Sequence, residues 1–269
     1  MTFTDLNASN YLELAKSLAQ QIAGLDGFQV IGIAGAQGTG KTTFAGRLSS
    51  ELVSTHAESV AVLSLDDFYL PRHERLILAE QVHPLLSTRG VPGTHDARLM
   101  ASVIERLRSG ESVEAPVFDK AIDDRAAQSQ SIGPARILLV EGWCWGARPE
   151  SQARLSEPVN FLEATQDHDG GWRAWVNEKL ADYQALFVND ALLYLRAPSF
   201  DAILAWRWQQ EQELARSHSG DQIMTREEIA EFIARYERIT TWMLEELPGR
   251  ADITVALDAS HGIEHIVSR

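Results

Sequence analysis

The octapeptide Gly35-Ala-Gln-Gly-Thr-Gly-Lys-Thr42 fits the spacing G-x-x-x-x-G-K-[ST] at every position. Glycines so spaced let successive backbone N–H groups converge on the oxygens of a polyphosphate. A helix starting directly afterwards adds its partial positive charge. Lys41 is then placed to reach the β- and γ-phosphates, and the Thr42 hydroxyl to meet Mg²⁺. Gly35, Ala36, Gln37, Gly38, Thr39, Gly40, Lys41, Thr42 and Thr43 are therefore read as nucleotide-binding residues. The segment lacks G-x-G-x-x-G, the spacing that a nicotinamide dinucleotide site uses.

Carboxylates stand at the ends of two apolar runs. Asp66-Asp67 closes Ser59–Leu65 and Glu141 closes Arg136–Val140. Moving a phosphoryl group onto a hydroxyl requires one carboxylate to accept or orient the proton, and another group to hold the metal. Asp66 is read in the first role; Glu141, with Thr42, is read in the second. A third cluster, Arg89-Gly-Val-Pro-Gly-Thr-His-Asp96, combines close-approach glycines with an arginine able to grip a carboxylate through two hydrogen bonds. Arg89, Gly93, Thr94, His95 and Asp96 are accordingly read as contacts to the acceptor, together with Asp66, Tyr69 and Lys120. Lys120, Arg125, Arg196 and Arg207 are the cations available to neutralise a phosphoryl group in transit. Arg207 lies in Trp206-Arg-Trp-Gln-Gln-Glu211, on a predicted helix where a lid would lie. The catalytic set is thus Lys41, Asp66 and Arg207.

Positioning these groups requires strands that end where the polar residues begin. Gln29–Ala34, Ser59–Leu65, Arg136–Val140, Ala191–Leu195 and Asp252–Leu257 are short, apolar and rich in β-branched residues. Helical patterns separate them: Leu6–Leu25 with Leu12, Ala15, Leu18, Ala19 and Ile22 as its stripe, about Lys41–Val53, and Ala97–Arg108 behind an Asp96 cap. Further stripes run through Trp172, Trp175, Val176 and Leu180, and through Ile229, Phe232, Ile233, Tyr236, Ile239 and Met243. Strands apolar on both faces that alternate with helices predict an α/β fold, a parallel sheet of about five strands with helices on both faces. Tyr69–Asp96 shows few regular signals, and a loop of that length is usually functional.

With 24 Lys+Arg against 38 Asp+Glu, the 269-residue chain carries a net charge of −14 and is not expected to bind nucleic acid. Its one cysteine, Cys144, excludes an internal disulfide and reads as a small apolar residue. No apolar run approaches the length of a bilayer span, so no membrane partner is expected and a cytoplasmic protein is the default. His261-Gly-Ile-Glu-His265 has the spelling of a metalloprotease motif but begins beside a helix-breaking glycine, and is discounted.

Several longer segments carry a resemblance: Ser64-Leu-Asp-Asp-Phe-Tyr-Leu70, His83 to Asp96, Val117-Phe-Asp-Lys120, Val140-Glu-Gly-Trp-Cys144, Tyr194-Leu-Arg-Ala-Pro198, Trp206 to Glu211 and Tyr236-Glu-Arg-Ile-Thr240. In these the chain resembles the plant-type D-glycerate 3-kinase family, within the P-loop kinases that include phosphoribulokinase, uridine kinase and bacterial pantothenate kinase. The resemblance covers about Val30 to Leu257. It implies a single kinase domain over 1–269, with an N-terminal helix in 1–27, an acceptor-binding insertion at 69–135 and a helical lid at 196–225. It also implies ATP and Mg²⁺ as cosubstrates, a small hydroxy acid as acceptor, Asp66 as base and Arg207 as a lid arginine. One departure is the short Ala121-Ile-Asp-Asp-Arg125 after the Phe-Asp-Lys motif, which leaves the role of Arg125 open. Two other readings stay open at this point. One is a kinase for pantothenate, a nucleoside or a sugar phosphate, and the other an NTP-hydrolysing regulatory module, although no Asn-Lys-x-Asp guanine signature occurs.

Overall fold

A run such as Gln29–Gly35, apolar on both sides, must lie inside a sheet. The computed structural model, which describes Phe3, Leu6 and residues 8–217 and 224–269, places it there. The chain begins with α1 (Tyr11–Ala23), β1 (Gln29–Gly35), α2 (Lys41–His56), β2 (Val60–Ser64), α3 (Arg72–Gln81) and α4 (Ala97–Arg108). Four short strands follow: β3 (Val113–Ala115), β4 (Phe118–Asp119), β5 (Asp124–Arg125) and β6 (Gln130–Ile132). Next come β7 (Ile137–Gly142), α5 (Phe161–Gln166), α6 (Gly171–Asp182) and β8 (Ala191–Arg196). The chain closes with α7 (Phe200–Ser217), α8 (Arg226–Glu246), β9 (Ile253–Leu257) and β10 (Ile263–Ser268).

The main sheet runs β10-β9-β8-β1-β7-β2. Five strands are parallel, as the alternating pattern predicts. The sixth, β10, is antiparallel to β9 at the edge. Its half-exposed residues give no buried run, and it contains part of the discounted histidine motif. Strand alternation divides the core into two layers. Ile31, Ile33, Ile137, Leu139, Leu193 and Val255 face α1, α2 and the start of α7, where Leu18, Phe44, Leu48 and Ile203 meet them. Val30, Leu138, Val140, Leu192 and Tyr194 face α4, α6 and α8 through Met100, Leu107, Val176, Tyr236 and Met243.

Two helices depart from the sequence expectation. α1 starts at Tyr11, because the Asn10 side chain accepts from the backbone N–H of Leu12 and Glu13 and caps the helix there. Its buried stripe is Leu14, Ala15, Leu18, Ala19 and Ile22, and Leu12 is exposed. The stretch Tyr69–Asp96 is not one long loop but contains α3 and a single 3₁₀ turn at Pro84–Ser87. The only buried side chain on α3 is Arg75, so a search for apolar periodicity passes over this helix. The excursion is closed at its base by Leu70 N–H donating to Thr94 O at 2.8 Å and Asp96 N–H donating to Phe68 O at 2.7 Å. The expected lid region lies partly on α7, while 218–223 lie outside the described residues. Among the described residues no helix is long and apolar enough to cross a membrane.

Close packing under β1 can be tested. A Cβ on Gly32 would stand 2.6 Å from Nε1 of the fully buried Trp145, whereas Gly46, on the exposed side of α2, has nothing within 4 Å. Gly32→Ala is expected to cost about 1–3 kcal/mol by overpacking. Gly46→Ala is expected to be neutral or to stabilise by about 0.5–1 kcal/mol. Thermal unfolding of the two variants beside the wild type checks both signs.

Candidate active site

Parallel pairing brings the carboxyl ends of β1, β2 and β7 to one edge. In register, β7 sets Glu141 beside Ile33 of β1 and Ser64 of β2. The loop after β1 returns into α2 through Gly40, whose φ of 83° a residue with a side chain rarely adopts. Thr42, the second residue of α2, and Ser64 both donate to Glu141 Oε1 at 2.8 Å. One carboxylate and two hydroxyls form an all-oxygen donor set. That composition fits Mg²⁺, which is held by one or two carboxylates together with substrate phosphates. Within the loop, Lys41 Nζ donates to Ala36 O at 3.0 Å and Thr39 Oγ1 donates to the same carbonyl at 2.9 Å. Burial lowers the pKa of Lys41, while Glu141 and Asp66 pull it back up. From the far edge of the sheet, the His261 ring stacks on Trp206 and its Nε2–H donates to Gly38 O at 3.0 Å.

A cleft of about 340 Å³ opens beside this loop. It is lined by Gln37, Gly38, Gly40, Lys41, Thr42 and Thr43 of the loop, and away from it by Asp66, Tyr69, Arg89, Lys120, Glu141 and Arg207. Asp66 accepts from Lys120 Nζ at 2.7 Å and from the Tyr69 hydroxyl at 3.0 Å. Burial alone would raise its pKa, but Lys120, by charge and hydrogen bond, and Lys41 outweigh that and hold it below the usual value. The neighbouring Asp67 turns away and accepts from the Phe118 N–H at 3.2 Å, with its pKa raised by burial. The adjacent pair thus separates into one carboxylate facing the cleft and one holding the β4–β5 hairpin.

Residues 30–155 match the model of the phosphoribulokinase / uridine kinase family. An uncharacterised kinase of Schizosaccharomyces pombe is 38% identical over 77% of this chain and 78% of that protein. The chain belongs to this family of P-loop kinases. The chloroplastic D-glycerate 3-kinase of Arabidopsis thaliana is 31% identical over 77% of this chain and 46% of the plant protein. The solved D-glycerate 3-kinase of Cryptococcus neoformans superposes with a TM-score of 0.75, covering 96% of this chain and 97% of that one at 22% identity. That likeness is one of fold. These relatives make the chain an ATP-dependent kinase.

The kinase cleft does not contain all the residues expected on its acceptor side. Gly93, Thr94, His95 and Asp96 build the loop and do not line the cavity. The Gly93 N–H donates to the Tyr183 hydroxyl, and its φ of 92° and the Trp175 ring leave no place for a side chain. Thr94, fully buried, accepts from Gly90 N–H and donates to Val91 O. His95 stacks on Tyr69 at 4.4 Å with its Nδ1 3.0 Å from the Tyr183 hydroxyl, and burial lowers its pKa to about 4. Asp96 caps α4 through Leu99 N–H and pairs with Arg125 at 3.3 Å. Arg125 also donates to Tyr69 O, so it braces the hairpin and, like Arg196, lies outside the lining. The family kinase cleft also includes Trp143, Gln210, Phe232 and Tyr236, which were not among the candidates. Trp143 Nε1 and the Tyr236 hydroxyl donate to the carbonyls of Gly90 and Arg89. Phe232 was legible only as part of a helical core stripe, and Tyr236 as part of that stripe and of the Tyr236–Thr240 resemblance. Ser64 was visible in the Ser-Leu-Asp-Asp run, but without the strand register it had no partner.

The pairing of Lys120 with Asp66 carries a pH signature. With the ammonium removed in Lys120→Met, the burial that opposes ionisation of Asp66 is no longer outweighed, and its pKa should rise. A ¹³C carboxyl titration of Asp66 in both proteins measures this, and a midpoint unchanged or lowered in Lys120→Met would contradict the arrangement.

Proposed function

We propose that this kinase transfers the γ-phosphoryl of ATP to the terminal hydroxyl of D-glycerate, giving 3-phosphoglycerate and ADP. The observation that carries the reading is the presence of Asp66 and Arg89 in one cleft with the phosphate loop. One suits a hydroxyl and the other a carboxylate, so a short hydroxy acid satisfies both. A D-glycerate 3-kinase among the relatives supports the same acceptor class. The second cavity, about 200 Å³ between Tyr11, Phe44, Arg47, Thr43 and His261, offers aromatic surface for the nucleotide's base.

In this reading Arg89 holds the carboxylate and so limits how the acceptor lies. Asp66, ionised and oriented by Lys120 and Tyr69, accepts the proton of the terminal hydroxyl as its oxygen bonds to the γ-phosphorus. The bond from that phosphorus to the β–γ bridging oxygen breaks, and ADP leaves. Lys41 and Arg207 stabilise the charge spread over the transferred group. Thr42 and Glu141, with Ser64, would hold Mg²⁺, which when bound neutralises phosphate charge. Arg207 reaches the cleft from α7, where it pairs with Gln210 and Glu211.

The deciding experiment is ADP release with Mg-ATP against a panel of small hydroxy acids, nucleosides and sugar phosphates. D-glycerate should be turned over and glycerol, lacking the carboxylate, should be poor; a panel in which a nucleoside or sugar phosphate leads would overturn the proposal. Asp66→Asn should lower turnover on the order of 10²–10⁴-fold with ATP affinity little changed. Asp67→Asn should do less, because Asp67 holds only the hairpin. Arg207→Ala should lower kcat more than it raises the acceptor KM, and the opposite split would make it a ground-state binding residue.

A further inference from the structure

The β4–β5 hairpin turns through only four residues, Lys120 to Asp123. Both ends of that turn reach groups of the acceptor side. Lys120 donates to Asp66, while Asp123, in the left-handed region at φ 54°, places its carboxylate between two arginines. Its Oδ2 lies 3.0 Å from Arg75 Nη2, and its Oδ1 accepts from Arg89 Nη1. Arg75 is fully buried and its other donors go to the carbonyls of Leu70, Ser87 and Asp123 itself. Asp123 is therefore held by a buried guanidinium that three carbonyls anchor. Arg89, by contrast, has its Nη1 taken and its Nε and Nη2 without a hydrogen-bond partner among the described residues. The Phe118 ring lies 5.4 Å from the Arg89 guanidinium carbon and limits its tilt.

We propose that Asp123 is the positioning residue that selects which edge of Arg89 meets the acceptor, taking Nη1 and leaving the Nε/Nη2 fork for the acceptor's carboxylate. A guanidinium can grip a carboxylate end-on through both Nη atoms or side-on through Nε and Nη2. Nη1 keeps a second N–H, but a carboxylate approaching end-on would meet the Asp123 anion seated against Nη1. The side-on grip is therefore favoured and holds the acceptor's carboxylate in one orientation relative to Asp66. The inference rests on the hydroxy-acid reading above. It adds a residue that touches neither substrate nor cofactor and acts through Arg89.

Asp123→Ala and Asp123→Asn test it, the second keeping the side-chain shape should the first fail to fold. Steady-state kinetics should show the KM for D-glycerate rising about tenfold in Asp123→Ala, and less in Asp123→Asn, with a smaller change in kcat and in the KM for ATP. The ¹⁵N guanidinium resonances of Arg89, assigned by their loss in Arg89→Lys, give a second readout. D-glycerate should shift Nε but not Nη1 in the wild type, and should shift both in Asp123→Ala. Equal rises in both KM values would reduce Asp123 to a structural brace and overturn the inference. So would an unchanged D-glycerate KM with unchanged Arg89 resonances. A wild type that neither releases ADP with D-glycerate nor shifts Arg89 Nε removes the hydroxy-acid reading itself, and the inference falls with it. Turnover of D-glycerate with no effect of Asp123 removes the inference alone.

Discussion

Glu141 is a carboxylate only 4% exposed at the centre of the sheet's carboxyl edge, and a buried charge persists only if donors and counter-charges surround it. Its donors come from two different segments, Thr42 on the helix after the phosphate loop and Ser64 at the end of β2, with Lys41 as counter-charge. That arrangement depends on strand register. Sliding β2 by one residue against β7 would turn the Ser64 hydroxyl to the opposite face of the sheet. The parallel pairing of β1, β7 and β2 is therefore the constraint from which the cleft is built. The apolar residues of the two core layers hold the register that the polar residues need.

A protein with a net charge of −14 repels anions at long range, yet among the described residues its cleft is lined by Lys41, Arg89, Lys120 and Arg207 against only two carboxylates, Asp66 and Glu141. A cleft with low-dielectric walls focuses such a local excess, so a polyphosphate is drawn there against the net charge of the molecule. Three of the four cations are tied to acidic partners: Lys120 to Asp66, Arg89 to Asp123 and Arg207 to Glu211. These pairs hold flexible side chains in position; a solvated lysine or arginine would lose more rotamer freedom on meeting substrate.

The segment from Arg89 to Asp96 shows how polar residues can support a cleft without lining it. A tight, buried loop must satisfy its own backbone groups, and Thr94 and the Tyr183 hydroxyl do so for Gly90, Val91 and Gly93. His95, with its pKa lowered by burial, stacks under Tyr69 as a neutral ring and supports the residue that donates to Asp66. Trp143 and Tyr236 fix the Arg89–Gly90 carbonyls from the sheet and from α8. In this way Arg89 alone is presented to the cavity.

The sequence by itself determined the phosphate loop, the five parallel strands, the helices on both faces and the strand-end carboxylates. Each of these is a local pattern: a fixed spacing of glycines and lysine, or a run of apolar residues that ends on an acid. It did not determine α3, whose buried side chain is a charged arginine, nor β10, whose half-exposed residues give no buried run. It named Asp66 and not Asp67 as the base, but a strand-end position alone does not say which of two adjacent side chains points into the cleft. Tertiary structure decided which of the two faces the cleft, that Arg125 braces a hairpin, and that Asp123 stands between Arg75 and Arg89. Those outcomes join residues up to 56 positions apart, as Tyr69 and Arg125 are. A contact of that kind is set by how the layers pack and leaves no periodicity or spacing in the chain to be read.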